Sequence, residues 1–301
     1  MITQFRNIGL IGRVDSEPVR DSVRALVELL ERRDVTVVLE EDTSRALALP
    51  NASASHSYQV ATRQLIGEVC DMVIVVGGDG SLLGAARDLA RHDVPVLGIN
   101  RGKLGFLTDI APDDIESGVS NVLDGHYEIE SRFLLETELK RGGAVVGQSD
   151  AFNDVVLHSG QAPKMLNFEL YIEGEFVYSQ RSDGLIVSTP TGSTAYSLSG
   201  GGPIMHPRLN AIVLVPMFPH TLSSRPLVID GNSEIKIIVA ESNPTSPRVS
   251  CDGQVNIGVQ PGDVLYIRKK SRKLKLIHPE GHSFYETCRD KLGWGTHFID
   301  D

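Results

Sequence analysis

The chain has 301 residues, 41% hydrophobic and 23% charged, a balance that supports a sizeable core, favours two domains over one and excludes wholesale disorder. Against 39 Asp and Glu stand 29 Lys and Arg, a net charge of −10, the wrong sign for a nonspecific nucleic-acid binder, although a local basic pocket for one anionic ligand stays open. The start, MITQFRNIGL, lacks a basic segment leading into a long apolar one, and no apolar run is long enough to span a membrane, so a cytoplasmic protein without a membrane partner is expected.

Residues 7–12 (NIGLIG) read as a buried strand. Over 17–33, Val19, Val23, Leu26 and Leu30 recur at spacings of three and four, an amphipathic helix, and a second strand over 35–40 completes a βαβ unit. The small polar stretch 51–58 reads as a mobile connection, followed by a helix over 59–68 and an apolar strand over 72–76. After GGDG at 77–80 come a helix over 82–91 and the strand VPVLGIN at 94–100. Strands apolar on both faces, alternating with helices, predict an α/β domain with a parallel sheet.

After about Gly125 the pattern changes. Leu166, Phe168, Leu170 and Ile172 alternate with Asn167, Glu169, Tyr171 and Glu173, a half-buried strand that turns at Gly174 and returns as GEFVYSQ. Strand-like runs at 184–188, 211–215, 235–240 and 262–268, separated by Gly, Pro, Asn and Ser, predict a β-rich second domain. The expected division is 1–127, with the tail 276–301 packing back on it, and 128–275. Cys70, Cys251 and Cys288 are odd in number and show no metal-ligand spacing, and read as buried or incidental thiols.

GGDG follows a parallel strand and precedes a helix, which places it at the carboxyl edge of the sheet, where such folds bind ligands. Gly77, Gly78 and Gly80 let a phosphate approach the backbone at a helix N-terminus. Asp79 reads either as a helix N-cap or as a carboxylate that accepts a proton from, or orients, a substrate hydroxyl. The first βα turn, GLIGRV, lacks the G-x-G-x-x-G spacing, and no G-x-x-x-x-G-K-[ST] occurs in the chain. The stretch SDGLIVSTPTGSTAYSLSGGGPIMHP at 182–207 reads as a strand and a long loop whose N–H groups, hydroxyls and Tyr196 ring suit a nucleotide, the ring stacking on a base. In FNDVVLHSG at 152–160, Asn153 and Asp154 read either as a turn or as an amide and a carboxylate for ribose hydroxyls. Arg181 and Asp183 offer a cation and an acceptor to the same cleft. His158, His206 and His220 read as structural or surface histidines, since none sits in a recognised acid–base pair.

Together, GGDG, NRGKLGFLTDI at 100–110, FNDVVLH at 152–158, the 182–207 stretch, VPMFPHTLSSRPLV at 215–228, SCDGQ at 250–254 and LGWG at 292–295 resemble the NAD kinase family, especially its bacterial members. The resemblance implies an NAD kinase-like α/β domain, a β-rich NAD-binding domain and a homo-oligomer, dimer or tetramer. It implies transfer of the ATP γ-phosphoryl group to the 2′-hydroxyl of the adenosine ribose of NAD, giving NADP and ADP. Such chemistry calls for a divalent metal ion, Mg²⁺ on the triphosphate, and the sequence shows no dedicated all-protein metal cage, which is consistent with the ion arriving on ATP. Carried over by position, Asp79 is the expected general base with Gly80 beside it. NAD contacts are expected from Asn153, Asp154, Lys164, Arg181, Asp183, Thr194, Ala195, Tyr196, Ser197, Leu198, Ser199 and Gln254. The family usually has Asn-Glu where this chain has Asn153-Asp154, which shortens the carboxylate's reach by one methylene. A lipid kinase sharing GGDG would need an apolar or basic membrane face, which the charge of −10 disfavours. An NAD(P)-binding sensor without catalysis would have no need of Asp79.

Overall fold

A computed structural model of the chain describes residues 5–13, 16–47, 58–101, 105–160, 165–243 and 247–294. Lys164 and the expected connection over 51–57 lie outside the described residues, as do 102–104 of the NRGKLGFLTDI stretch and 295–301 of the tail. The chain divides into two compact units, Met1–Ser131 with Leu274–Asp301, and Arg132–Lys273. Among the described residues no helix is long and apolar enough to cross a membrane.

The first unit contains β1 (Asn7–Gly12), α1 (Glu17–Arg32), β2 (Thr36–Glu40), α2 (Glu41–Leu47), β3 (Tyr58–Ala61), α3 (Arg63–Val69), β4 (Met72–Gly77), α4 (Asp79–Leu89), β5 (Pro95–Asn100) and α5 (Ile115–Leu123). Its strands pair in parallel in the order β3-β2-β1-β4-β5. Helix α1 forms because proline opens its first turn, Glu17 and Arg32 complement the dipole, and Val19, Val23, Leu26 and Leu30 make one buried stripe. That stripe packs with Ile8, Leu10, Val37, Leu39, Ile74 and Val76 of the sheet and with Val119 and Val122 of α5. Sequential strands lie on opposite sides of β1, so the gap between β1 and β4 is the topological switch point, and Gly12 and Gly77 end the two strands there.

The chain enters the second unit along β6 (Tyr127–Arg141), which forms an antiparallel hairpin with β7 (Ala144–Ala151). There follow β8 (Asp154–His158), β9 (Leu166–Ile172), β10 (Glu175–Ser182), β11 (Gly184–Ser188), α6 (Tyr196–Ser199), β12 (Ala211–Met217), β13 (Leu227–Asp230), β14 (Ile235–Val239), β15 (Arg248–Cys251), β16 (Val255–Gly258) and β17 (Val264–Pro279). One sheet has the order β13-β12-β11-β8-β15-β16 and is antiparallel throughout. A second runs β10-β9-β14 and on to the first residues of β17, also antiparallel. Leu157, Leu185 and Leu214 of the former share a core with Phe168, Leu170, Ile237 and Leu265 of the latter. The last residues of β17, Lys275–Ile277, belong to the first unit and pair in parallel with β5, and α7 (Phe284–Leu292) follows.

The observed elements depart from the expected ones at identifiable points. The helix expected over 59–68 is a strand, β3, and then a helix from Arg63, because Thr62 caps α3 by accepting from Leu65 N at 3.3 Å while Tyr58–Ala61 extends the parallel sheet. The helix expected from 82 begins at Asp79. The strand expected over 262–268 runs on to Pro279. The loop after β11 is not without secondary structure: Thr191–Thr194 forms a 3₁₀ turn and Tyr196–Ser199 a short helix. The turn expected at Gly174 is a two-residue one, with Glu173 and Gly174 both at positive φ, 52° and 79°.

Candidate functional site

In the first unit the carboxyl edge of the parallel sheet is organised around GGDG. Gly77 ends β4, and a Cβ there would lie 2.4 Å from Ser81 Oγ, so the strand-to-helix turn requires glycine. Gly78, not Asp79, is the N-cap of α4. Asp79 is the first residue of the helix, where a negative charge suits the dipole, and its carboxylate turns away from the helix backbone. It accepts the N–H of Phe106 at 2.9 Å and of Leu107 at 3.2 Å, with Thr108 Oγ1 at 3.4 Å. Gly105 makes this grip possible: a Cβ on it would sit 1.8 Å from Asp79 Oδ1. Gly78 and Gly80 are exposed at the start of the helix, where the backbone favours an anion such as a phosphate.

At the end of β2, where dinucleotide folds place an acid on a ribose, Glu40 is buried and occupied. Thr43 Oγ1 donates to Glu40 Oε2 at 2.6 Å and accepts from Gly12 N at 2.9 Å, and Arg63 pairs with the other carboxylate oxygen. This agrees with the missing G-x-G-x-x-G pattern: the first βα turn is held by a local latch.

The second unit has a cleft of about 530 Å³ whose lining includes Asn153, Asp154, Asp183, Ala195, Tyr196 and Asp252. It is built around the hairpin turn between β15 and β16, in which Asp252 and Gly253 both have positive φ, 53° and 65°. The Asp252 carboxylate accepts three backbone N–H groups, from Phe152 at 3.0 Å, Asn153 at 2.7 Å and Asp154 at 3.3 Å. The start of β8 is thereby fixed. Asp154 is buried, and burial, reinforced by the charge of Asp252, pushes its carboxyl up to about 7. Asn153 Oδ1 is buried and has no hydrogen-bond partner among the described residues, an acceptor left for something outside the chain.

The hydroxyl-rich loop closes on the same strand. Thr189 Oγ1 donates to Phe152 O at 2.7 Å, Ser188 Oγ donates to Asn153 O at 3.1 Å, and Ser193 Oγ bonds Pro190 O and Met205 N. Gly192 packs so tightly that a Cβ would lie 2.2 Å from Asn153 O. Several hydroxyls that composition offers to a ligand therefore hold the loop instead.

Of the expected contact residues, the cleft brings Asn153, Asp154, Asp183, Ala195 and Tyr196 together. Tyr196 is 47% exposed, so its ring has a face to give. Thr194, Leu198 and Ser199 belong to the 3₁₀ turn and short helix around it, while Ser197 is fully buried with its hydroxyl turned inward. Arg181 and Gln254 are exposed on β10 and beside the 252–253 turn, outside the cleft lining. His158 Nδ1 accepts from Gly160 N at 3.1 Å, and burial, then Arg248, lowers its ring's proton affinity. His206 Nδ1 accepts from Arg208 N at 3.2 Å, and His220 N donates to Arg181 O at 3.0 Å. All three cysteines are buried.

Two features were not anticipated. Asp252 reads in sequence as part of SCDGQ, and its Asp-Gly pair between short apolar runs is the one local signal for the hairpin that makes it a backbone anchor. Asp109, His278 and His282 converge in the first unit although Asp109 is far from the histidines in sequence. The one sequence signal for it is the H-x₃-H spacing of His278 and His282.

Comparison with known proteins matches residues 8–127 to the ATP-NAD kinase N-terminal domain and residues 152–279 to the ATP-NAD kinase C-terminal domain. The chain is 60% identical over 293 residues to an NAD kinase of Pseudomonas putida strain W619 and 61% identical over 292 residues to one of Pseudomonas fluorescens strain SBW25, covering 97% of each chain in both cases. Its fold is similar to yeast NADH kinase complexed with NADH, with a TM-score of 0.89 at 26% identity over 98% of this chain and 90% of the other. It is also similar in fold to an NAD kinase from Archaeoglobus fulgidus in complex with ATP, with a TM-score of 0.72 at 24% identity over 95% and 98%.

Proposed function

The chain belongs to the ATP-NAD kinase family, and we propose a division of labour in which Asp79 serves the chemistry and the Asn153–Asp154 cleft serves NAD. The enzyme transfers the γ-phosphoryl group of ATP to the 2′-hydroxyl of the adenosine ribose of NAD. The bond from O2′ to the γ-phosphorus forms, the bond from that phosphorus to the β,γ-bridging oxygen breaks, and ADP leaves. Asp79 orients the 2′-hydroxyl and takes its proton. The observation that carries this role is the three-point grip of Phe106, Leu107 and Thr108 on a carboxylate that a side chain at residue 105 would displace. A carboxylate held in place before substrate arrives suits a reaction governed by positioning and charge neutralisation.

Gly77, Gly78 and Gly80 provide the approach for phosphate at the start of α4. The divalent ion would be Mg²⁺ arriving on the triphosphate, and when bound it would supply charge neutralisation for phosphoryl transfer. NAD is held in the second unit by Asn153 Oδ1, by Asp154, whose carboxyl can donate as well as accept near neutral pH, and by Tyr196 stacking on a base. Asp183 and Ala195 line the same cleft, and Lys164, Arg181, Thr194, Ser197, Leu198, Ser199 and Gln254 complete the proposed set. We place the enzyme in the cytoplasm, a reducing compartment suited to an odd set of three buried cysteines without disulfide spacing, and read it as a homo-oligomer. The test is NADP formation from NAD, ATP and Mg²⁺, followed with an NADP-specific dehydrogenase. Absence of NADP with NAD still bound would overturn the catalytic assignment.

A further inference from the structure

Beyond the nucleotide sites, the first unit carries a compact set of nitrogen and oxygen donors. Asp109 follows the segment Phe106–Thr108 and precedes Ile110, which bridges to Ile99 of β5. His278 lies near the end of β17, beyond its parallel pairing with β5. The chain then turns through Gly281, at φ +88°, with His282 N donating to Pro279 O at 3.2 Å, and this turn lays the His282 ring on that of His278. The ring centroids are 4.1 Å apart and the planes 17° from parallel. Both Nδ1 atoms face one carboxylate: His278 Nδ1 is 2.5 Å from Asp109 Oδ2 and His282 Nδ1 is 3.2 Å from Asp109 Oδ1.

We propose that Asp109, His278 and His282 form a binding site for a zinc-class divalent cation, fastening the segment that grips Asp79 to the turn before α7. Four observations support it. The three ligand atoms lie within 4.8 Å of one another, so shifts of about an ångström bring them to the spacing that metal–ligand bonds of about 2.0 Å require. The donors are two imidazoles and a carboxylate, which suits zinc or another late first-row ion rather than Mg²⁺ or Ca²⁺. Behind His278, Glu130 Oε2 stands 3.3 Å from Nε2, within reach of the far ring nitrogen, where a carboxylate orients a metal-bound histidine once the pair aligns. Burial is deep for polar groups, with side-chain exposures of 11% at Asp109, 3% at His278 and 18% at His282. The competing arrangement is an imidazole pair hydrogen-bonded to Asp109 with no cation. Three protein ligands leave one position for water.

The full chain, stripped with EDTA and freed of chelator, is titrated with Co²⁺ in the absence of nucleotide while visible d–d absorption is followed. Zn²⁺ is then added as competitor and elemental analysis gives stoichiometry. Wild type and Asp79→Asn are expected to take up one ion per chain at micromolar concentration, with Zn²⁺ displacing Co²⁺. His282→Asn and Asp109→Asn are expected to bind at least tenfold more weakly. His282 lies in a partly exposed turn, so an unchanged thermal midpoint of His282→Asn in EDTA shows that the fold persists. Failure of the wild type to bind, or equal binding by His282→Asn, overturns the site in favour of the cation-free hydrogen-bonded pair. The readout is binding alone, so its failure is distinguishable from a failure of the Asp79 assignment, which only turnover tests.

Discussion

Asp252 Oδ1 accepts the backbone N–H of Asn153 at 2.7 Å, and through this bond the 252–253 turn fixes the strand that carries the cleft's amide and carboxyl. The same carboxylate also holds the N–H groups of Phe152 and Asp154. Asp252→Ala leaves three donors to find water or go unmet, at about 1–3 kcal/mol for each that stays buried. A lower thermal midpoint and a raised KM for NAD are expected. Asp252→Asn keeps one acceptor and is expected to fall between wild type and Ala. A KM for NAD unchanged in Asp252→Ala would show that the anchor does not shape the site.

The charge of Asp252 has a second effect, on Asp154. The Asp154 carboxyl is pushed up to about 7, first by burial and then by Asp252. Its folded-state pKa therefore lies above its unfolded one, so the folded protein binds the extra proton between roughly pH 4 and pH 7. Stability is then lost as pH rises through that window, by a few kcal/mol at most, and levels off above it. Asp154→Asn, which cannot ionise, should match or trail wild type near pH 4 and surpass it by several degrees at pH 8. Thermal midpoints of both proteins across pH 4 to 9 check the sign; a constant difference would mean that Asp154 titrates normally.

Asp79 and Gly105 make a paired prediction. Asp79→Asn should retain NAD binding within a few-fold and lose about 10²–10⁴ in kcat, the usual contribution of a general base. Gly105→Ala should also lower kcat, because its Cβ would stand 1.8 Å from Asp79 Oδ1 and must push the carboxylate aside. Steady-state rates beside NAD affinity measured by calorimetry separate the effects. Full turnover in Gly105→Ala would show that the carboxylate's position is unimportant.

The first unit was largely legible because parallel strands buried on both faces and the stripe of α1 leave strong periodic signals. Residues 115–123 carry such a stripe too, Ile115, Val119, Val122 and Leu123, which marks α5 just before the pattern changes after Gly125. Helix α2 left little to read: EDTSRAL has no apolar stripe and is held by Thr43 hydrogen bonds to Gly12 and Glu40. Strands β15 and β16 are four residues each, too short for alternation to show. At the site, local motifs marked GGDG and Asn153–Asp154. The partners that orient them, Gly105 for Asp79 and Asp252 for Asn153, are distant in sequence and meet only through the fold. Composition counts the hydroxyls of the loop but does not say that Ser188, Thr189 and Ser193 bond within the chain.

Tyr196 offers the sharpest test of the NAD cleft, since the residue lines the cleft and is 47% exposed, so its removal should leave the core untouched. Stacking of a nucleobase on an aromatic ring contributes about 1–3 kcal/mol, or roughly 5- to 150-fold in affinity. Tyr196→Ala should raise KM for NAD within that range while kcat and the thermal midpoint change little. Tyr196→Phe keeps the ring and loses only the hydroxyl, so it should behave like wild type if stacking is the interaction. Loss in both variants would assign the effect to the hydroxyl, and loss in neither would remove Tyr196 from the site.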